Sequence, residues 1–166
     1  MAGRESEEGW MKLTHDDIVK WMNGYFATYN EYAQDAATVH RMDEYFAPDL
    51  NFVPYMYVFG GPGNPITGRE DFYRLLTGHP TDYERFEVLD VFVDEKRMVA
   101  VAFLIATIHD AKTDEVLVRK HYLPLYELFL DDKDRLKIKT VRFFWEASQP
   151  EVDAHYAIPK DFGGTK

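Results

Sequence analysis

The spacing of apolar residues changes once along this chain, and that change restricts the fold more than any other feature. In the segments Thr14–Phe46 and Arg69–Leu76 apolar side chains return every three or four residues; from Arg85 onward they return every second residue. Helices followed by neighbouring strands give an α+β arrangement, with three N-terminal helices packed on one face of a curved, mostly antiparallel sheet. The expected division is a loose arm over 1–13, a single domain over 14–147 and a tail over 148–166, the last carrying Val152, Tyr156, Ile158 and Phe162 around two prolines.

Thr14 and Asp17 have capping-box spacing, so a helix is expected to start there. Ile18, Trp21, Met22, Tyr25, Phe26, Tyr29 and Tyr32 would form its core-facing stripe. A second helix is expected over Ala36–Tyr45, ended by Ala47-Pro48-Asp49, with Val39, Met42, Tyr45 and Phe46 turned inward. Pro54 demotes Leu50–Phe59 to a short or edge strand pair. The glycine-rich stretch after it is a loop, and a third helix is expected over Arg69–Leu76. Strands follow at Arg85–Val93, Met98–His109, Glu115–Leu130 and Leu136–Ala147, joined by short polar turns as a meander.

Met98 to Ile108 is apolar at both alternating positions, and Leu123 and Leu125 fall opposite Tyr122, Pro124 and Tyr126. A sheet apolar on both faces has to be covered on both. Helices can cover one, so a second copy is expected on the outer face, as a homodimer; the alternative cover is the C-terminal tail.

Composition removes whole classes of chemistry. With 19 Lys and Arg against 29 Asp and Glu, the net charge of −10 repels phosphate backbones and anionic lipid, and no basic patch offsets it. Neither nucleic acid nor a membrane is therefore an expected partner. No cysteine is present, so thiolate nucleophiles and Cys-ligated metals are excluded. No stretch reaches the roughly 20 apolar residues that span a bilayer, and the start lacks a signal-peptide pattern, so a cytoplasmic location is expected. Histidines are scattered without metal-ligand spacing, and the glycine loop has neither the GKS/T nor the βαβ context of a phosphate loop, so no metal and no cofactor is implied.

Three stretches carry a family resemblance: Gly24-Tyr25-Phe26-Ala27-Thr28-Tyr29-Asn30, Tyr45-Phe46-Ala47-Pro48-Asp49-Leu50-Asn51-Phe52 and Leu136-Lys137-Ile138-Lys139-Thr140-Val141-Arg142-Phe143-Phe144-Trp145. In these, and in element order and length, residues 14–147 resemble the nuclear transport factor 2-like superfamily, which includes ketosteroid isomerases, SnoaL-like polyketide cyclases and scytalone dehydratase. The resemblance implies a cystatin-like cone whose sheet curls around the first helix and leaves an apolar pocket. It places Tyr25 where ketosteroid isomerases keep the oxyanion-donating tyrosine, and Tyr126 near the second donor. Val53 or Pro54 stands where those isomerases carry a proton-shuttling Asp, and neither can move a proton. His79 with Tyr83, and Ile108-His109, fall near the two histidine regions of scytalone dehydratase. By the same match Val141, Phe143 and Trp145 point inward.

Eleven tyrosines are available, and Tyr25, Tyr29, Tyr55, Tyr57, Tyr122 and Tyr126 fall on elements that would line such a cone. Converging phenols could hold a carbonyl or phenol ligand, or could simply fill the space. Phe143 and Trp145 would suit a flat ring. Of the histidines, His79 and His109 are the proton-transfer candidates, while His121 should face away. Asp90 alternates with Phe86, Val88 and Phe92, so it either points to solvent or is a buried acid with a raised pKa. Two functions stay open: a cofactor-independent isomerase, dehydratase or cyclase acting on a small hydrophobic ring or polyketide-like molecule, or a non-catalytic binding dimer on the same fold.

Overall fold

A computed structural model describes residues 12–56 and 61–145. The C-terminal tail, most of the expected arm and Tyr57 lie outside the described residues, as does the side chain of Trp145.

Helix α1 spans His15–Tyr32 and is closed by the expected capping box between Thr14 and Asp17. Its buried face is Ile18, Met22, Tyr25, Phe26 and Tyr29. The second helix is shorter than the sequence suggests, a 3-10 helix over Val39–Glu44. Strand β1, Phe46–Met56, starts immediately after it and takes in Pro48, the residue expected to mark a break. Pro48 is accommodated because the pairing of β1 shifts register between Phe46 and Asn51. Nor is β1 a short edge piece: β8 (Leu136–Trp145) pairs with it in parallel on one side, and the short β2 (Gly61–Pro62) and β3 (Ile66–Thr67) pair on the other. Helix α2, Arg69–Leu76, lies where the sequence places it.

The long strands are β4 (Asp82–Asp94) and β5 (Val99–Asp110), then β6 (Val116–Tyr122) and β7 (Leu125–Leu130). What reads as one strand from Glu115 to Leu130 is two, because Leu123-Pro124 interrupts it. Both halves pair with β5, β6 along 104–109 and β7 along 99–101. The sheet order is β2-β1-β8-β7-β5-β4, so the sheet is mixed only through the β1–β8 pair.

The interior lies between α1, α2, the 3-10 helix and the concave face of the sheet. On β5 it takes Ala100, Ala102, Leu104, Ala106 and Ile108, whose small residues leave room for the rings of α1. The alternate residues Val99, Val101 and Phe103 face outward and are half-buried. No helix of the described residues is long and apolar enough to cross a membrane.

Candidate functional site

Four ionisable side chains meet in the interior. Tyr25 and Tyr29 lie four residues apart on the buried face of α1, so they stand one above the other. Tyr126 comes from β7 and Glu84 from β4. Tyr25, Tyr29 and Tyr126 are all buried.

The hydroxyls of Tyr25 and Tyr126 are hydrogen-bonded to each other, and their rings meet edge to face with centroids 5.6 Å apart. Tyr29 donates its hydroxyl to Glu84 Oε1 at 3.1 Å. Phe26, Phe86 and Tyr45 close the walls with further edge or tilted contacts. Glu84 is half-buried as a residue, but its carboxylate is the enclosed end.

Burial governs the electrostatics. It pushes the Glu84 carboxyl up to about 7; the Tyr29 hydrogen bond pulls the other way, and the charge of Asp82 adds to the rise. Burial likewise raises Tyr25, Tyr29 and Tyr126 above the ordinary phenol value, with the Glu84 charge adding to each. The three phenols therefore stay neutral and able to donate. Beside them is an acid that changes charge near neutral pH.

Glu84 is held from behind. The side-chain amide of Gln34, in the turn just after α1, bonds both the backbone N–H and C=O of Glu84. Asn30, one helical turn earlier, does the same for Phe86, at 2.8 Å each way. Two amides four residues apart, one on α1 and one in the turn that follows it, thus imitate a neighbouring strand along the free edge of β4, satisfying groups an edge would expose. They also fix the side of the sheet on which Glu84 and Phe86 stand. Two residues along the same face of β4 is Asp82, whose carboxylate lies 3.7 Å from His79 Nδ1; the side chains are 12% and 17% exposed.

The candidates read from sequence divide between the two faces. Tyr25, Tyr29, Tyr122, Tyr126 and Phe143 are interior, with Tyr122 packed edge-on against Phe143 at 5.2 Å. His79 stands at the start of β4 beside Asp82. Asp90, His109 and Tyr55 are outside. Alternation from Phe86 would carry Asp90 inward, but β4 bulges between Val88 and Asp90: Val88 pairs with Leu104 and Asp90 with the very next residue, Phe103. The extra residue, Leu89, reverses the faces that follow, so Val91 is buried while Asp90 and Phe92 are exposed. His109 faces outward against Tyr83, and Tyr55 stacks on Phe144 and accepts a hydrogen bond from Arg142 at 3.1 Å. Outward-facing His121 stacks on Phe103.

Glu84 is absent from the candidates read from sequence because the strand expected there begins at Arg85, three residues after the start of β4 at Asp82. Stepping back by two from Phe86 gives Glu84 and then Asp82, so the signal was present in the alternation. Away from this site, ligand atoms of His40, Asp43 and Glu70 lie within 4.8 Å of one another. Arg69 already holds that group, at 3.2 Å from Asp43 and 3.7 Å from Glu70, which makes it an ion-pair network.

No protein-family model and no curated protein sequence matches the chain. Solved structures do. The BvnE pinacolase from Penicillium brevicompactum superposes with a TM-score of 0.56 at 16% identity, covering 82% of this chain and 88% of that one. A ketosteroid isomerase-like protein from Erwinia carotovora atroseptica gives 0.51 at 14%, covering 79% and 96%. An NTF2-like protein from Shewanella baltica gives 0.52 at 10%, covering 82% and 99%. At such identities the likeness is one of fold. The chain is an α+β protein whose fold is similar to structures described as cystatin-like and NTF2-like.

Proposed function

We propose that this protein binds a small, hydrophobic, ring-containing carbonyl or phenol compound inside the cone and catalyses a cofactor-independent proton transfer on it, as an isomerase, dehydratase or cyclase. The observation that carries the reading is the Glu84 carboxylate, enclosed, bonded to Tyr29 and poised near neutral pH beside the Tyr25–Tyr126 pair. A general base works best when its pKa lies near the working pH. Neutral phenols aimed at a carbonyl oxygen stabilise the oxyanion that forms when a neighbouring carbon loses its proton. In this scheme Tyr25 and Tyr126 polarise the carbonyl, Glu84 takes and returns the proton, and Tyr29 holds Glu84 in place. His79 and Asp82 stand on the solvent side of Glu84. The pinacolase and the isomerase-like neighbour indicate that the fold is compatible with such chemistry.

The test uses two probes. Binding of naphthols is followed by their fluorescence, and exchange of the α-protons of cyclic enones in D2O is followed by proton NMR. Acid–base function requires accelerated exchange that falls about 100-fold in Glu84→Gln while naphthol binding persists. Naphthol binding without any accelerated exchange would instead support the non-catalytic binding protein.

The outer face of the sheet supports an assembly of two copies, with Phe92 55%, Leu123 49% and Phe144 42% exposed on it. Sedimentation at micromolar concentration tests this, since a single species at monomer mass would refute it.

A further inference from the structure

On the convex side of the sheet, away from Tyr25, three residues stand in one row across β4, β5 and β6. Arg85 is the register partner of Thr107, and Thr107 is the partner of Arg119. Directly paired residues share a face with their Cβ atoms about 4.5–5.5 Å apart, so Thr107 lies between two arginines, both exposed. Elsewhere Arg41 lies over the Tyr32 ring, and Arg69, Arg74, Arg97, Arg135 and Arg142 each sit against a carboxylate. Among the described residues, Arg85 and Arg119 have no such partner.

The row is also braced. The Arg85 guanidinium lies over the Tyr83 ring, 5.2 Å from its centroid. Tyr83 stacks on His109 at 5.0 Å with the rings 10° from parallel, and its hydroxyl bonds Asp114. His109 Nε2 is 2.9 Å from the Thr107 hydroxyl, and Nδ1 is 3.2 Å from the Asp114 carbonyl and 3.3 Å from its carboxylate. Both Asp114 oxygens are acceptors, which assigns a hydrogen to Nδ1. With a second hydrogen on Nε2 the imidazole donates to Thr107, whose own hydrogen then turns outward between the arginines.

We propose that Arg85, Thr107 and Arg119 form a binding site for a phosphate group, free or as the monoester of a small molecule, on the outer face of the sheet. Two forked guanidiniums on opposite sides suit an anion with several oxygens, each able to take paired hydrogen bonds. His109 acts through Thr107. His109 itself is held by Tyr83 from β4 and Asp114 from the turn.

The experiment is a titration of the full chain with inorganic phosphate at constant ionic strength, followed by amide and arginine side-chain NMR signals. The site predicts saturable shifts centred on residues 85, 107, 109 and 119, with a dissociation constant on the order of 1 mM. Arg85→Gln and Arg119→Gln should each weaken it about tenfold. Tighter binding of phenyl phosphate than of phosphate would identify the ester as the ligand and the reverse would identify the free ion; both uphold the site. Shifts that rise linearly, or that are the same in the double arginine variant, overturn it. A change in sedimentation mass of the phosphate-free double variant also overturns it, because the arginines would then be meeting acidic groups of a second copy.

Discussion

Tyr83 and Glu84 are consecutive on β4, and each is half of a tyrosine–carboxylate hydrogen bond. Tyr83 and Asp114 make theirs on the convex face, where the Asp114 side chain is 73% exposed. Tyr29 and Glu84 make theirs in the interior, where burial pushes the carboxyl up to about 7. One step along a strand thus separates an ordinary surface contact from a group with chemistry near neutral pH. Chemical identity of the pair is the same on both sides; what differs is the solvent that would otherwise hold the charge.

The largest expected difference between the faces is in packing. Phe26→Ala, in the ring cluster, should destabilise by about 3–5 kcal/mol, whereas Phe92→Ala on the outer face should change monomer stability by less than about 0.5 kcal/mol. Urea unfolding of both variants measures this, and equal losses would erase the contrast.

The next effect depends on pH. Glu84 titrates higher in the fold than its ordinary 4.5, so the fold resists its ionisation. Full stability is present below about pH 4.5 and is lost as the pH rises through about 7. Glu84→Gln, which keeps an acceptor for Tyr29, should therefore stabilise the protein at pH 8 by up to about 3 kcal/mol and give no gain near pH 4. Denaturant midpoints at the two pH values provide the check. A gain independent of pH would show that charge is not the cause.

A smaller effect is expected from the amide brace. Asn30→Ala leaves the N–H and C=O of Phe86 without their partner, at about 1–3 kcal/mol, with faster hydrogen exchange at Phe86. Smallest is Tyr83→Phe. Losing the exposed bond to Asp114 should change stability by less than about 0.5 kcal/mol, compared with a clearly larger loss for Tyr29→Phe in the same unfolding assay.

Much of the fold was legible because its signals are local. The Thr14 capping box, the α1 stripe and the limits of α2 need only neighbouring residues, and the change of spacing defines the α+β order. Tyr25, Tyr29, Tyr122 and Tyr126 could be placed inward for the same reason. The misplacements arise where tertiary pairing overrides local pattern. Asp90 stays open between solvent and interior in the sequence because a bulge at Leu89, which turns it to solvent, has no mark there, and Pro48 and Pro54 suggest limits although β1 carries both. Glu84 was missed because the expected strand starts at Arg85, three residues after β4 begins at Asp82. The support of Glu84 by Gln34 and of Phe86 by Asn30, 50 and 56 residues away in sequence, could not be inferred from β4 alone.

The central claim is that Glu84 is an enclosed acid poised near neutrality among neutral phenols. The most direct measurement is carbon-13 NMR titration of the glutamate side-chain carboxyls, with Glu84 assigned from the signal missing in Glu84→Gln. A midpoint near 7, falling when Tyr29 and Tyr126 remain but solvent is admitted by Phe26→Ala, is the predicted result. A midpoint at the ordinary carboxylate value in the intact protein would contradict the account.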